Sequence, residues 1–249
     1  MRNCWIYLVL TIFVSCQVLG VAGEPENERV ICHSIAVFGG SYSVVPESKI
    51  AKDAWRERYG LTITDYGVGG AGFSLLSSVS NIQFQVDNAC DETKQVYDAY
   101  LLWASTNDYR LCNDRAGVST DYTIDDGFST EGRKTQSGGI NYCIKRIKEK
   151  APEALILFVS STPLFDDAKS YSEDYEGMDG MNYFVAMQEA CCNKNNVHFL
   201  NQYINSPLTP ENWEMYFQAD GIHLNEDGYR LLLHNQTSFI GKYMAKASN

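Results

Sequence analysis

Short apolar runs alternate with helical stripes along most of the chain. Ser34-Ile35-Ala36-Val37-Phe38 has the length of a buried strand and stops at Gly39-Gly40. Glu47 to Tyr59 places Ile50, Ala54 and Trp55 at helical spacing, with Gly60 where a helix would end. Leu61 to Tyr66 alternates and is rich in β-branched residues, which predicts a strand. Tyr100 to Ala104 predicts a third strand. Ile140, Cys143, Ile144 and Ile147 make an i, i+3, i+4, i+7 stripe, closed by Lys148, Lys150 and Pro152. Ala154 to Ser160 is apolar throughout, as a strand covered by helices on both faces would be. Met181 to Cys192 reads as a helix, Val197 to Leu200 as a fifth strand, and Glu226 to Ala245 as the last helix. Strand and helix in alternation predict an α/β fold: a parallel sheet of about five strands with right-handed crossovers. Function in such sheets gathers at the carboxyl ends of the strands. Two polar stretches, Arg110 to Thr135 and Pro163 to Gly180, follow strands and should lie over that edge.

The 249 residues are 45% apolar, 12% aromatic and 20% charged, which excludes a disordered or collagen-like chain. With 31 acidic and 20 basic residues the net charge is -11. That acidity argues against binding to a nucleic-acid backbone or an anionic membrane. The start of the chain reads as an export signal: Arg2, an apolar run from Trp5 to Val14, then small residues at Val21-Ala22-Gly23 before Glu24. Residues 1-23 are therefore expected to be a signal peptide and 24-249 a single domain without a membrane span. A rival reading takes Val14-Ser15-Cys16 as a lipoprotein box with Cys16 lipidated; the apolar residues after it speak against that. Beyond the leader stand Cys32, Cys90, Cys112, Cys143, Cys191 and Cys192. An oxidising compartment would permit pairing, and the sequence leaves the pairing open. Their spacing matches no zinc pattern, so no metal is expected, and buried thiols are the plainer reading for most of them.

Chemistry concentrates in four blocks. Gly39-Gly40-Ser41-Tyr42-Ser43 follows the first strand and Gly67-Val68-Gly69-Gly70-Ala71-Gly72 the second. Ser105-Thr106-Asn107-Asp108 follows the third, and Asp220-Gly221-Ile222-His223 precedes the last helix. A serine hydroxyl needs an imidazole to take its proton, and the imidazole needs a carboxylate on its other nitrogen. Asp220 and His223, three residues apart in a turn, can supply base and orienter to Ser41. A tetrahedral oxyanion needs donors, and the Ser41 N–H, the Gly70 N–H and the Asn107 amide come from adjacent strand ends.

These blocks, in this order, resemble the SGNH hydrolase superfamily of GDSL-like lipases and esterases. Its pattern is G-D-S-x-S, then a glycine, then G-x-N-D, then D-x-x-H. The resemblance implies a flavodoxin-like three-layer α/β/α sandwich. It also implies a nucleophile at Ser41, a base at His223, an orienter at Asp220 and an oxyanion hole of Ser41, Gly70 and Asn107, without cofactor or metal. Three positions depart from the pattern: Gly40 replaces Asp, Ser105 replaces Gly, and Asp65 stands where Asn is frequent. Asp108 and Ser43 read as hydrogen-bonding supports, and Trp103 as core. His33, His198 and His234 read as structural or surface residues. Tyr109, Trp213 and Tyr216 suit packing better than a sugar cleft. The expectation is a secreted serine esterase acting on small-acyl esters, acetyl groups on polysaccharide among them. A lipase or thioesterase of the same fold and a non-catalytic glycan-binding module are the alternatives.

A competing motif remains. Gly67-x-Gly69-x-x-Gly72 follows a strand, with Asp87 about 20 positions on, as in a dinucleotide site. It follows the second strand rather than the first, and export would remove the protein from nicotinamide pools. Both count against that reading.

Overall fold

The computed structural model describes residues 30–75, 81–92, 95–112, 126–164 and 180–245. The export signal and most of the two long polar stretches lie outside them. The main sheet has five strands: β2 (Ser34–Gly39), β3 (Thr62–Asp65), β4 (Ala99–Trp103), β5 (Leu155–Val159) and β6 (His198–Leu200). All pair in parallel, in the order β3-β2-β4-β5-β6. The chain order 2-1-3-4-5 is flavodoxin-like and reverses between β2 and β4, where ligands of such sheets bind.

Strand residues alternate between two cores. Ile35, Val37, Leu101, Trp103, Leu157 and Val159 face helices α2 (Lys49–Tyr59) and α7 (Glu226–Tyr243), meeting Trp55, Tyr229, Leu232 and Ile240. Ala36, Phe38, Tyr100, Leu102, Ile156 and Phe158 face α3 (Ile82–Asp87), α5 (Gln136–Lys150) and α6 (Gly180–Lys194), meeting Ile82, Val86, Ile140, Ile144 and Cys191. This is the expected three-layer sandwich. The central strands β4 and β5 are buried along their whole length, which explains their unbroken apolar sequence. Gly60 ends α2, its N–H donating to the Arg56 carbonyl. Two short helices follow strand ends: α1 (Ser41–Val44) after β2 and α4 (Asn107–Cys112) after β4.

The structure departs from the pattern at its margins. The last helix stops at Tyr243; Met244–Ala245 (β7) instead pairs in parallel with Val30–Ile31 (β1), outside the main sheet. Helix α3 leaves no apolar stripe in the sequence, because Gln83 and Gln85 are buried polar residues that interrupt it. Trp103 is core, and Tyr109 is buried with its ring edge on Phe184. His198 stacks on Tyr243. No helix among the described residues is long and apolar enough to cross a membrane.

Cys32, Cys90, Cys143, Cys191 and Cys192 are buried free thiols. Burial lifts all five away from the thiolate, Cys32 to about 11 and Cys191 to about 12. In the folded protein these five should resist iodoacetamide at pH 8 and react only after guanidinium unfolding, as mapped by peptide mass spectrometry. Rapid native alkylation of Cys143 or Cys191 would contradict this packing.

Candidate active site

Three strand-end loops and one hairpin meet above the reversal point of the sheet. At the end of β2, buried Gln85 reads both backbone atoms of Gly39: its Oε1 accepts from the N–H and its Nε2 donates to the carbonyl, both at 3.0 Å. Gly40 follows in extended conformation and Ser41 opens α1. A Cβ on Gly40 would stand 2.5 Å from the Ala71 carbonyl, 2.6 Å from Ser105 Oγ and 2.9 Å from Asn107 Nδ2. No side chain fits there without moving backbone. Ser43 Oγ donates to the Gly40 carbonyl at 2.9 Å, the supporting role read from the sequence. Buried Lys52 donates to the Ser43 carbonyl and pairs with Asp65, whose Oδ1 accepts from the Gly67 N–H at 3.0 Å. The turn bearing Ser41 is thus tied through one ion pair to the glycine loop.

In that loop Gly70 takes φ +80, a left-handed conformation open to glycine. Asp108 fixes the loop: its carboxylate accepts from the Phe73 N–H at 2.8 Å and the Ser74 N–H at 2.9 Å. Asn107 donates from Nδ2 to the Ala71 carbonyl at 3.0 Å and to Ser105 Oγ at 2.8 Å. Ser105 Oγ in turn donates to the Ala71 carbonyl at 3.0 Å. The Ser105 hydroxyl and the Ala71 carbonyl together stand in the space that a side chain at 40 would need. Among the described residues, neither the Ser41 N–H nor the Gly70 N–H has an acceptor. The same loop gives the dinucleotide reading no support. The N–H groups of Gly67, Val68, Ala71, Phe73 and Ser74 donate within the chain, and α3 opens at Ile82 rather than at the last glycine of the motif, where the dinucleotide fingerprint needs a helix N-terminus.

The fourth block is a turn between Phe217 and Leu224, which bridge in antiparallel fashion. Asp220 Oδ1 accepts from the Ile222 and His223 N–H groups, each at 2.9 Å. That grip directs Oδ2 to His223 Nδ1, 2.6 Å away. Burial works to raise the Asp220 pKa, but the bonds from the His223 ring and the two N–H groups outweigh it and hold the carboxyl below its usual range. The edge of the Tyr42 ring meets the His223 ring, with centroids 6.2 Å apart. The fold thus brings Asp220 and His223 into direct contact, sets Asn107 and Ala71 against Gly40 beside Ser41, and joins the two halves through Tyr42. Among the described residues no cluster of His, Cys, Asp and Glu could hold a metal ion. Lys52, Gln85 and the pairing of Ser105 with Gly40 were not foreseen; their partners are mostly backbone atoms distant in sequence.

The model of the GDSL-like lipase and acylhydrolase family matches residues 34–231. The chain belongs to this family. It is a GDSL-type hydrolase, acting on ester bonds. No curated protein matches it in sequence. Solved structures share the fold at low identity. A protein from Lactobacillus plantarum is 15% identical with a TM-score of 0.65, over 87% of this chain and 100% of its own. A lipase/acylhydrolase from Enterococcus faecalis is 14% identical, TM-score 0.57, over 87% and 100%. A catalytic mutant of an acetylxylan esterase from Geobacillus stearothermophilus is 12% identical, TM-score 0.57, over 88% and 100%. Ser41, Gly70, Asn107, Asp220 and His223 of this GDSL hydrolase all lie within the matched residues.

Burial pushes the Asp108 carboxyl up to about 6, against the two N–H bonds that favour its charge. An unfolded aspartate titrates near ~3.9. Between those values the folded state binds the proton more tightly, so this group's contribution to stability falls as pH rises from about 4 to 6 and is flat above. The slope is at most ~1.4 kcal/mol per pH unit. Asp108→Asn should shift the slope of urea stability against pH over that stretch in the positive direction, by removing this negative contribution; an unchanged slope would show that Asp108 titrates normally.

Proposed function

We propose that this GDSL hydrolase is a secreted serine esterase that works through an acyl-enzyme on Ser41. The observation that carries the reading is the 2.6 Å contact of Asp220 Oδ2 with His223 Nδ1, joined through Tyr42 to a serine whose N–H, like that of Gly70, has no acceptor among the described residues. With Nδ1–H held by the carboxylate, His223 Nε2 is the basic nitrogen. In the proposed reaction Nε2 takes the Ser41 proton as Oγ attacks the ester carbonyl. The tetrahedral oxyanion is met by the Ser41 and Gly70 N–H groups, each worth ~3 kcal/mol; the Asn107 amide, whose two hydrogens go to the Ala71 carbonyl and Ser105 Oγ, joins them in the proposed reaction by giving up one of those bonds. Collapse breaks the bond to the alcohol oxygen, which leaves with the proton from the imidazolium. Water then attacks the acyl-Ser41 bond with His223 again as base, releasing the acid and restoring the hydroxyl.

Asp220 remains a carboxylate through the cycle and offsets the charge on the imidazolium. An export signal at 1-23 and an acidic chain suit an extracellular substrate, so the reading extends to small acyl esters, acetyl groups on polysaccharide in particular. An acetylxylan esterase shares the fold.

Ser41→Ala should abolish hydrolysis of a chromogenic acetate ester while leaving the melting temperature unchanged; retained turnover would remove Ser41 from the chemistry. Asp220→Asn should lower kcat by up to ~10⁴ by favouring the wrong tautomer, and a wild-type rate would mean another group orients His223. Because no proposed step uses a metal, EDTA should leave both kcat and KM unaltered.

A further inference from the structure

The helix that carries Ser41 is a single turn and has no side-chain cap. Such a turn cannot hold its own geometry in water. Its own bonds are supplemented by donors from other elements. The Gly40 carbonyl takes Ser43, the Ser41 carbonyl takes the Val45 N–H, and the Ser43 carbonyl takes Lys52. The Tyr42 carbonyl takes the hydroxyl of Tyr229, from the first turns of α7, at 2.8 Å in a buried setting. The Tyr42 side chain, 1% exposed, reaches the other way, its hydroxyl donating to the Ile222 carbonyl at 2.9 Å across 180 residues of sequence.

Ile222 lies inside the Asp220–His223 turn. Asp220 grips that turn from within through two N–H groups, and Tyr42 grips it from outside through the one carbonyl between them. The residue after the nucleophile is thus bonded by its side chain to the turn of the base and by its carbonyl to the helix that follows.

We infer that Tyr42 and Tyr229 are positioning residues which together set the spacing between Ser41 and His223. The inference rests on the serine-esterase reading. Neither tyrosine hydroxyl bonds to Ser41 Oγ or to the His223 ring; both act through the placement of the serine hydroxyl and the imidazole. Their effect falls on kcat, because a misplaced base weakens proton transfer without altering the contacts of the substrate.

The test uses Tyr42→Phe, which keeps the ring and its contact with His223 and removes only the hydroxyl. Tyr229→Phe, the double variant and Ser41→Ala are measured alongside, with p-nitrophenyl acetate as substrate. Each rate is taken per folded molecule, with the folded fraction from circular dichroism. Tyr42→Phe should lower kcat about tenfold with KM within about twofold. It should also broaden or shift the downfield proton resonance of His223 Nδ1–H, which a purely structural loss would leave in place in the folded fraction. The double variant should lose little more than the worse single one, because both act on one spacing. A wild-type kcat per folded molecule in Tyr42→Phe, or losses that simply multiply in the double variant, would overturn the inference. In either case an inactive Ser41→Ala leaves the esterase reading standing, whereas an active Ser41→Ala removes that reading itself.

Discussion

Between the ends of β2 and β4 the Gly40 backbone, the Ala71 carbonyl and the side chains of Ser105 and Asn107 share a space in which one added Cβ would stand 2.5 Å from a carbonyl oxygen. The close approach is possible only because parallel strands end side by side at the reversal of the sheet order. It brings three loops within hydrogen-bonding reach of one another. The sheet fixes where the loops start, and the buried contacts around Gly40 fix where they end.

Those contacts are polar, and nearly all are satisfied. Gln85, Asp108, Ser105 and Lys52 each bond to backbone atoms of a neighbouring loop. A buried polar group left without a partner costs roughly 1–3 kcal/mol, so the network tolerates few rearrangements. Within it, the N–H groups of Ser41 and Gly70 remain available to a substrate oxygen in the proposed reaction. Positions 40 and 105 follow the same logic. The Ser105 hydroxyl stands where a side chain at 40 would have to go, and the Asn107 amide is bonded to that hydroxyl and to the Ala71 carbonyl.

Much of this could be read from the sequence where the physics is local. Strand β5 and helix α5 show in the periodicity because each buries a continuous face. Asp220 and His223 show in their spacing because a short turn is enough to join them. Ser43 and Asp108 were legible as supports, though not the groups they hold. Helix α3 was hidden by the buried glutamines that make it useful, and β1 with β7 by pairs only two residues long. Lys52, Gln85 and Tyr42 were hidden for another reason. Each binds a backbone carbonyl or N–H, and a backbone atom leaves no mark on the spacing of side-chain types. Residues 1-23 and most of the long polar stretches lie outside the described residues, and export belongs to the proposal.

The central claim is that Ser41 is the group acylated during turnover. The most direct measurement is to treat the active protein with a fluorophosphonate, digest it and locate the adduct by tandem mass spectrometry. A single stoichiometric adduct on Ser41, appearing in step with loss of esterase activity, is the expected result. An adduct on another residue, or complete inactivation with Ser41 unmodified, would contradict it.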